Sequence, residues 1–539
     1  MKQYTFKIAL LLGILITFNA CDDVLEKNPL DKLSDQSFWN SENDAKLALA
    51  GVYAIDHNMW GEGDWWSYRG LLWLEFASDN AYDRRGNKSN QSKLANGLNV
   101  STNGAVKNYW TASYKKIGRC NNFLENIVHT EMDENLKAQM IAEVRFIRAC
   151  QYFYMCQYWG GVPLVTKVQT IEEANNVTRA SKADIVSFVR TELSEAVSGL
   201  PSSRPTEEKG RVTKAAALAF LGRLQMAEQQ WGDAANTFKQ IIDLGEYQID
   251  DRYEELFLTS GETSKEIIWA SQVLQDDLGH AIMQHFLPYI AGGWHIHCPL
   301  NEIVDAYDCV DGLPISQSPL YDASKPFENR DPRLAMSVLL PNTSTFNGVL
   351  YVTHPDSTKA MDRVPNKTKT GYGLRKYNDE NYDGDTYKSG NDVPIIRYAE
   401  VLLSYLEAMI ESGASIDQAL LDATINKIRG RAAVNLPAIT ETNPDALRTL
   451  LRNERRVELA FEGIRYWDLL RWNIAHEVMT GKFYGAKIAD GPSSTSYVVN
   501  DNGNYFVTER AFRKDVDYLW PIPQAERDIN DKLEQNPGY

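Results

Sequence analysis

Apolar residues recur at helical spacing through most of the N-terminal half of the chain. Ser41-Glu42-Asn43-Asp44 offers a cap and an acidic first turn before Ala45–Ala54, so a helix is predicted to begin near Ser41. Two long helical patterns follow between Ala105 and Tyr158, interrupted near Thr130–Asp133. The second carries Ile141, Val144, Ile147, Cys150 and Tyr152, and stops at Gly160-Gly161-Val162-Pro163. A further helix is predicted over Lys182–Gly199. From about Phe257 to Val393 the period is lost, and Gly, Pro, Asn, Asp and aromatic residues dominate around short strand-like pieces such as Glu266–Val273 and Leu334–Leu340. Helical pattern is expected again from Val393.

Within Thr213–Tyr247, Leu221-Gly222 precedes Ala234 and Phe238 at tetratricopeptide spacing, with Gln225 where that repeat has an aromatic residue. The small residues let two helices approach closely while Phe238 fills the groove between them. Arg397–Arg431 reads as a second such pair, with Ala423 in the aromatic position. One pair cannot bury its own face, so three or four stacked pairs are expected. The fold class that follows is mainly α: a tetratricopeptide-like scaffold with a long, irregular, loop-built region, whose many aromatics argue for function over disorder. The expected organisation is a leader over 1–20, a helical region over 21–256 and a C-terminal region over 257–539 that contains the irregular stretch 257–393.

The first residues break the helical scheme. Lys2 and Lys7 precede an apolar run, Ile8–Phe18, ending at Asn19-Ala20-Cys21 and then Asp22-Asp23. This is the order of a secretion signal, and eleven apolar residues are too few to span a bilayer, which needs roughly 20. The cysteine at the junction points to lipidation of Cys21; an ordinary signal peptide with an incidental cysteine is the alternative. Five further cysteines, Cys120, Cys150, Cys156, Cys298 and Cys309, leave at least one thiol unpaired, and the first three lie in apolar helical segments as small core residues. The formal charge of −16 excludes nucleic acid as a natural partner, since that affinity comes from Lys and Arg on phosphates. A covalent lipid would hold so acidic a chain at a membrane.

Toward the C-terminus, Asn453-Glu454-Arg455-Arg456-Val457-Glu458-Leu459-Ala460-Phe461-Glu462-Gly463 places three glutamates at i, i+4 spacing. Such a like-charge stripe is unfavourable on an isolated helix and calls for arginine partners, for which Arg455, Arg456, Arg465 and Arg471 are at hand. Converging glutamates also suit a glycosidase acid/base pair, but the density of arginine favours an ion-paired structural network. This stretch and its continuation to Trp472 resemble the signature of the SusD/RagB family, the surface nutrient-binding lipoproteins of Bacteroidetes. So do Ala77-Ser78-Asp79-Asn80, Glu143–Ala149 with Trp159–Leu164, Arg211–Ala217, and the ending Tyr518–Pro523 with Asn536-Pro537-Gly538-Tyr539. The resemblance implies a mainly α fold whose irregular, loop-built region is ligand-binding, with no catalysis and no cofactor. It also implies a lipid anchor in the outer membrane, exposed at the cell surface, and a SusC-like TonB-dependent transporter as partner. Its members bind glycans for the most part, and the RagB-like branch is associated with peptides.

Ligand candidates come from two aromatic clusters. The first is Trp60, Trp65, Trp66 and Tyr68 in a glycine-rich loop, where adjacent tryptophans are expected to leave at least one exposed for stacking on sugar. The second is Tyr289 and Trp294 in Tyr289–Cys298, whose His295-x-His297 and Cys298 also admit a metal reading; no metal is assigned. Tyr372 joins the candidates, with Tyr351 and Tyr377 as weaker ones. Asn378–Asp385 has oxygen ligands suited to calcium but lacks the twelfth-position glutamate, so a solvated acidic loop is preferred. No nucleophile elbow, phosphate loop or zinc helix occurs. Glycan capture leads, with peptide capture by the same architecture as the alternative.

Overall fold

The structure, a computed structural model, describes residues 38–55, 61–488 and 497–539. The leader, Cys21 and Trp60 lie outside the described residues. Helix α1 (Glu42–Tyr53) begins where expected: Ser41 and Asp44 form a reciprocal capping box. Helices α2 (Gly104–Asn126) and α3 (Glu134–Trp159) match the two long patterns. Gly160, at φ 73°, ends α3 in a conformation that costs a β-carbon dearly. Helix α4 (Lys182–Gly199) has a second capping box, Ser181 with Asp184.

Helices α5 (Lys214–Ala227) and α6 (Trp231–Asp243) form the closely packed pair read from Leu221, Gly222, Ala234 and Phe238. A Cβ on Gly222 would lie 2.5 Å from Phe238 Cζ, so the ring occupies the space glycine leaves. The second expected pair differs. Val393–Arg397 is a strand, paired antiparallel with Ile267–Ser271, and helix α7 (Tyr398–Glu411) starts only after it. Its partner is broken at Thr424 into Gln418–Ala423 and Ile425–Arg429. The run Val393–Ile396 was open to either reading, because a short apolar run has no period of its own. Leu334–Leu340 likewise is one helical turn, Arg333–Ser337, before a two-residue strand.

Helix α8 (Pro444–Glu458), capped by Asn443 with Pro444 at its first position, carries the Glu-Arg-Arg motif. Its glutamates find arginines, but not those at hand. Glu454 pairs with Arg333 (2.6 Å) and Arg429 (2.8 Å), and Glu458 with Arg333 (2.9 Å), Arg397 (3.1 Å) and Arg431 (2.8 Å). Glu462 lies beyond the helix end and meets Lys376 and Arg397, each at 2.7 Å. The neighbours expected to serve these glutamates face the other way: Arg455 meets Asp468, Arg456 and Arg465 meet Asp79, and Arg471 meets Glu407. A helix puts consecutive residues about 100° apart, so Arg455 and Arg456 cannot share the face of Glu454 and Glu458.

Candidate functional site

Both members of the Trp65-Trp66 pair are buried, contrary to expectation. Overlapping turns across 61–71 give the two rings different surroundings. Trp65 stacks among Tyr109 (4.3 Å), Tyr154 (4.6 Å) and Tyr158 (5.3 Å), and its Nε1 donates to Ser113 Oγ at 2.8 Å. Trp66 meets Trp269 edge-on at 4.8 Å and lies under Lys116 Nζ. The glycines that suggested an open loop serve close packing instead: a Cβ on Gly63 would sit 2.5 Å from the Asn108 carbonyl carbon. Tyr68 is sealed against His285, and Tyr372 is buried with its hydroxyl donating to Asn301 Oδ1. Tyr351 and Tyr377 are interior as well. Trp65, Tyr68, Tyr351, Tyr372 and Tyr377 offer no face to a ligand, and Trp66, although almost fully covered, borders a mainly apolar cleft of about 650 Å³ with Trp269 and Tyr53.

The second cluster stands at the surface. Trp294 and Tyr289 are half-buried, on a loop whose shape Asp362 sets. The Asp362 carboxylate accepts from the backbone N–H of Tyr289 (2.7 Å) and Ile290 (3.0 Å), and from His295 Nδ1 (2.7 Å). Burial works to raise the Asp362 pKa, but the His295 bond and charge and the two amides more than offset it and hold the carboxyl below its usual range. The loop is fastened behind by Trp294 N–H to Gln284 O (2.7 Å) and Ile296 N–H to His285 O (2.8 Å). Here the His-x-His residues are interior. His295 is committed to Asp362, and burial lowers His297 to about 3, keeping it neutral.

Trp294 packs edge-on to His285 (4.8 Å) and to Tyr387 (5.6 Å, 83°), and Tyr387 is 46% exposed. Tyr387 follows, two residues on, the acidic stretch Asn378–Asp385 that has oxygen ligands suited to calcium. Its acidic residues cap turns: Asp379 accepts from Asn381 N–H and Asp385 from Tyr387 N–H. Half-buried Tyr382 donates its hydroxyl to Asp385 O. This loop is joined to 274–280 by Asp276 N–H to Lys388 O and by the His280–Ser389 bridge, which brings exposed Leu274 and Leu278 alongside. The result is a rim of Trp294, Tyr387, Tyr382, Leu274 and Leu278 on three loops tied by main-chain bonds. Tyr387 and Tyr382 were missed in the sequence because their stretch was read for its carboxylates; the spacing of two tyrosines around Asp-Gly-Asp was the signal.

Burial raises Asp392 to about 6 where it accepts from Val273 N–H beside Leu274, while the carboxyls raised highest lie elsewhere. Burial pushes Glu75 and Glu302 up to about 7, but Glu75 is sealed behind Gly463 N–H, Asn80 and Ser78 and faces no open cavity of the rim. No helix among the described residues is long and apolar enough to cross a membrane.

Two family models match the chain: "SusD family" over residues 265–539, and "Starch-binding associating with outer membrane" over residues 28–226. A SusD-like carbohydrate binding protein of Bacteroides fragilis superposes with a TM-score of 0.88 at 42% identity, covering 92% of this chain and 100% of that one. The SusD-like protein P38 of Formosa agariphila is 26% identical over 99% of this chain and 98% of its own length. The starch-binding protein SusD of Bacteroides thetaiotaomicron is 23% identical over 74% of this chain and 72% of its own. With the mainly helical fold, the matched models and the structural likeness in agreement, the chain belongs to the SusD family of carbohydrate-binding proteins.

Proposed function

We propose that this protein is a non-catalytic, lipid-anchored glycan receptor of the outer-membrane surface. In this reading it captures oligo- or polysaccharide at the Trp294–Tyr387 rim and passes it to a SusC-like TonB-dependent transporter. The observation that carries it is the rim itself: an aromatic pair at 83°, half open to solvent, with Asp362 fixing the Trp294 loop and main-chain bonds from Asp276, His280 and Gln284 fixing the Tyr387 loop. Sugar rings stack on such faces, and neighbouring amides and carboxylates take up hydroxyls. The carbohydrate-binding relative at 42% identity and the starch-binding one support the same class of ligand. Cys21 supplies the anchor in this reading, and Cys21→Ala should release the protein from membranes while leaving its soluble affinity unchanged.

Isothermal titration of the mature protein against a glycan panel and a peptide mixture tests the proposal. A saturable glycan signal, weakened by about 1–3 kcal/mol in Trp294→Ala, is the expected result. Heat from peptides alone would move the rim to peptide capture, and turnover of a bound glycan would defeat the non-catalytic part. Failure of a SusC-like barrel to co-purify from membranes would remove the transporter step.

A further inference from the structure

We infer that the glycan this site takes is an anionic one, held by a cationic cleft that continues the rim on the far side of Tyr289. The inference rests on the glycan-receptor reading. A cleft of about 540 Å³ is lined by Tyr82, Arg84, Arg85, Gly86, Lys88, Lys369, Tyr505 and Val507. Four of those eight are cations and none is a carboxylate, on a chain whose net charge is −16.

One of the four is already used. Arg85 forms a bidentate pair with buried Asp83 and lies over the Trp73 ring at 4.5 Å. Arg84, Lys88 and Lys369 have no ion-pair partner among the described residues. Arg84 donates from Nη1 to the Tyr289 hydroxyl at 2.7 Å, a neutral acceptor that leaves its charge unmatched, and its buried Nε has no hydrogen-bond partner. A fourth cation without an ion-pair partner among the described residues, Lys367, sits 4.1 Å from the Tyr289 ring centroid, and Arg84 lies 5.2 Å from the same centroid. Tyr289 therefore gathers two cations instead of presenting an open face to sugar.

Backbone connections join this cleft to the rim. Strand Ala81–Asp83 pairs with His297–Pro299, and Arg84 N–H donates to Ile296 O, two residues beyond Trp294. Like charges brought together without counter-ions oppose folding, and an acidic surround repels polyanions from everywhere else. Both features make sense if carboxylate or sulfate groups of a bound chain complete the cleft through charge-assisted hydrogen bonds while neighbouring sugar rings meet Trp294 and Tyr387. Anionic lipid headgroups carry the same charge, so vesicles form a separate arm of the test.

The test titrates the mature protein with three oligosaccharides: galacturonan, carrageenan and a neutral β-glucan. The first two separate a carboxylate from a sulfate ester. At least one anionic oligosaccharide should bind more tightly than the neutral one and weaken at least about tenfold as NaCl rises from about 50 to about 500 mM. Lys88→Gln/Lys369→Gln should cost about tenfold for that ligand, and Lys88→Arg/Lys369→Arg should restore it, which a loss of folding would not allow. Binding of neutral glycan only, or anionic binding indifferent to the double variant, overturns this inference and leaves the glycan-receptor reading standing. Anionic phospholipid vesicles bound through Lys88 and Lys369 in place of either oligosaccharide also overturn it. Silence toward all three oligosaccharides defeats both readings.

Discussion

Arg397→Met isolates what the buried ion network contributes. The Arg397 guanidinium is 1% exposed and reaches Glu266, Glu458 and Glu462, with a further bond from Nη2 to Glu458 O at 3.1 Å. Around it Arg333, Lys376, Arg429 and Arg431 face Asp331, Glu266, Glu454, Glu458 and Glu462, so with Arg397 the cations and carboxylates balance. Methionine matches the length of the stem but leaves one carboxylate in excess. Each acid keeps another cation, so no lone charge is stranded, yet removing one partner of a buried pair costs about 3–5 kcal/mol. At roughly 500 ordered residues and about 2.1 cal/mol/K each, the unfolding entropy is about 1 kcal/mol/K, and the melting point should fall by about 3–5 °C. The network can shed its excess charge by taking up a proton. The affected carboxyl then titrates higher in the folded variant than unfolded, so the loss is larger at about pH 8 than at about pH 5.5. Scanning calorimetry at both values reads this, with Arg448→Met as the control: its pair with Glu411 is partly exposed and is worth about 1 kcal/mol or less. A melting point within about 1 °C of the parent at about pH 8, or a loss that does not shrink in acid, would show that the network's charge balance is not what holds this part of the fold.

Trp65→Ala should lower stability by about 3–5 kcal/mol in urea melts, because it empties a fully buried stack, whereas Trp294→Ala should leave the midpoint almost unmoved and change glycan affinity. The reverse pattern would return the site to the first cluster. Gly222→Ala drives a methyl into the Phe238 ring and should cost about 1–3 kcal/mol, part of which Phe238→Leu recovers in the double variant; additive losses would mean that the two do not touch. Burial raises the Glu75 carboxyl from 4.5 to about 7, so the fold keeps a proton there that the unfolded chain has lost. Stability should therefore fall as pH rises from 4.5 through about 7, and Glu75→Gln should flatten that slope in denaturation series across the same window. An unchanged slope would place the titration on another group.

The helical scaffold was legible because amphipathic periods, capping boxes and a glycine stop are local signals. Ser41 with Asp44, Ser181 with Asp184 and Gly160 fix helix ends within a few residues of where they read. The Gly222–Phe238 contact was legible for a similar reason, since the pattern of small and large residues encodes a single interhelical approach. What could not be read was which distant segments complete a charge. Glu454 takes Arg333 and Glu458 takes Arg431, while Arg455 and Arg456, adjacent in sequence, turn to Asp468 and Asp79. Sequence proximity ranks partners by chain distance, and a folded interior ranks them by helix face.

The two aromatic clusters show why composition misplaced half of the candidate site. Glycine flanks both, and in both it marks a close approach: Gly63 to the backbone at Asn108, Gly293 to the Leu287 carbonyl. The difference lies in what surrounds each loop. Trp65 is enclosed because α2 and α3 supply Tyr109, Tyr154 and Tyr158, three rings already committed to the scaffold. Among the described residues, Trp294 packs on His285 of the short helix Ile282–Phe286 and on a loop that ends in solvent at Tyr387, with no long scaffold helix over it. A tryptophan between glycines is thus a binding candidate only when its contacts come from segments that the hydrophobic period leaves outside the helical core. In this chain the irregular stretch 257–393 satisfies that condition, and the loop carrying Trp65 and Trp66, which faces α2 and α3, does not.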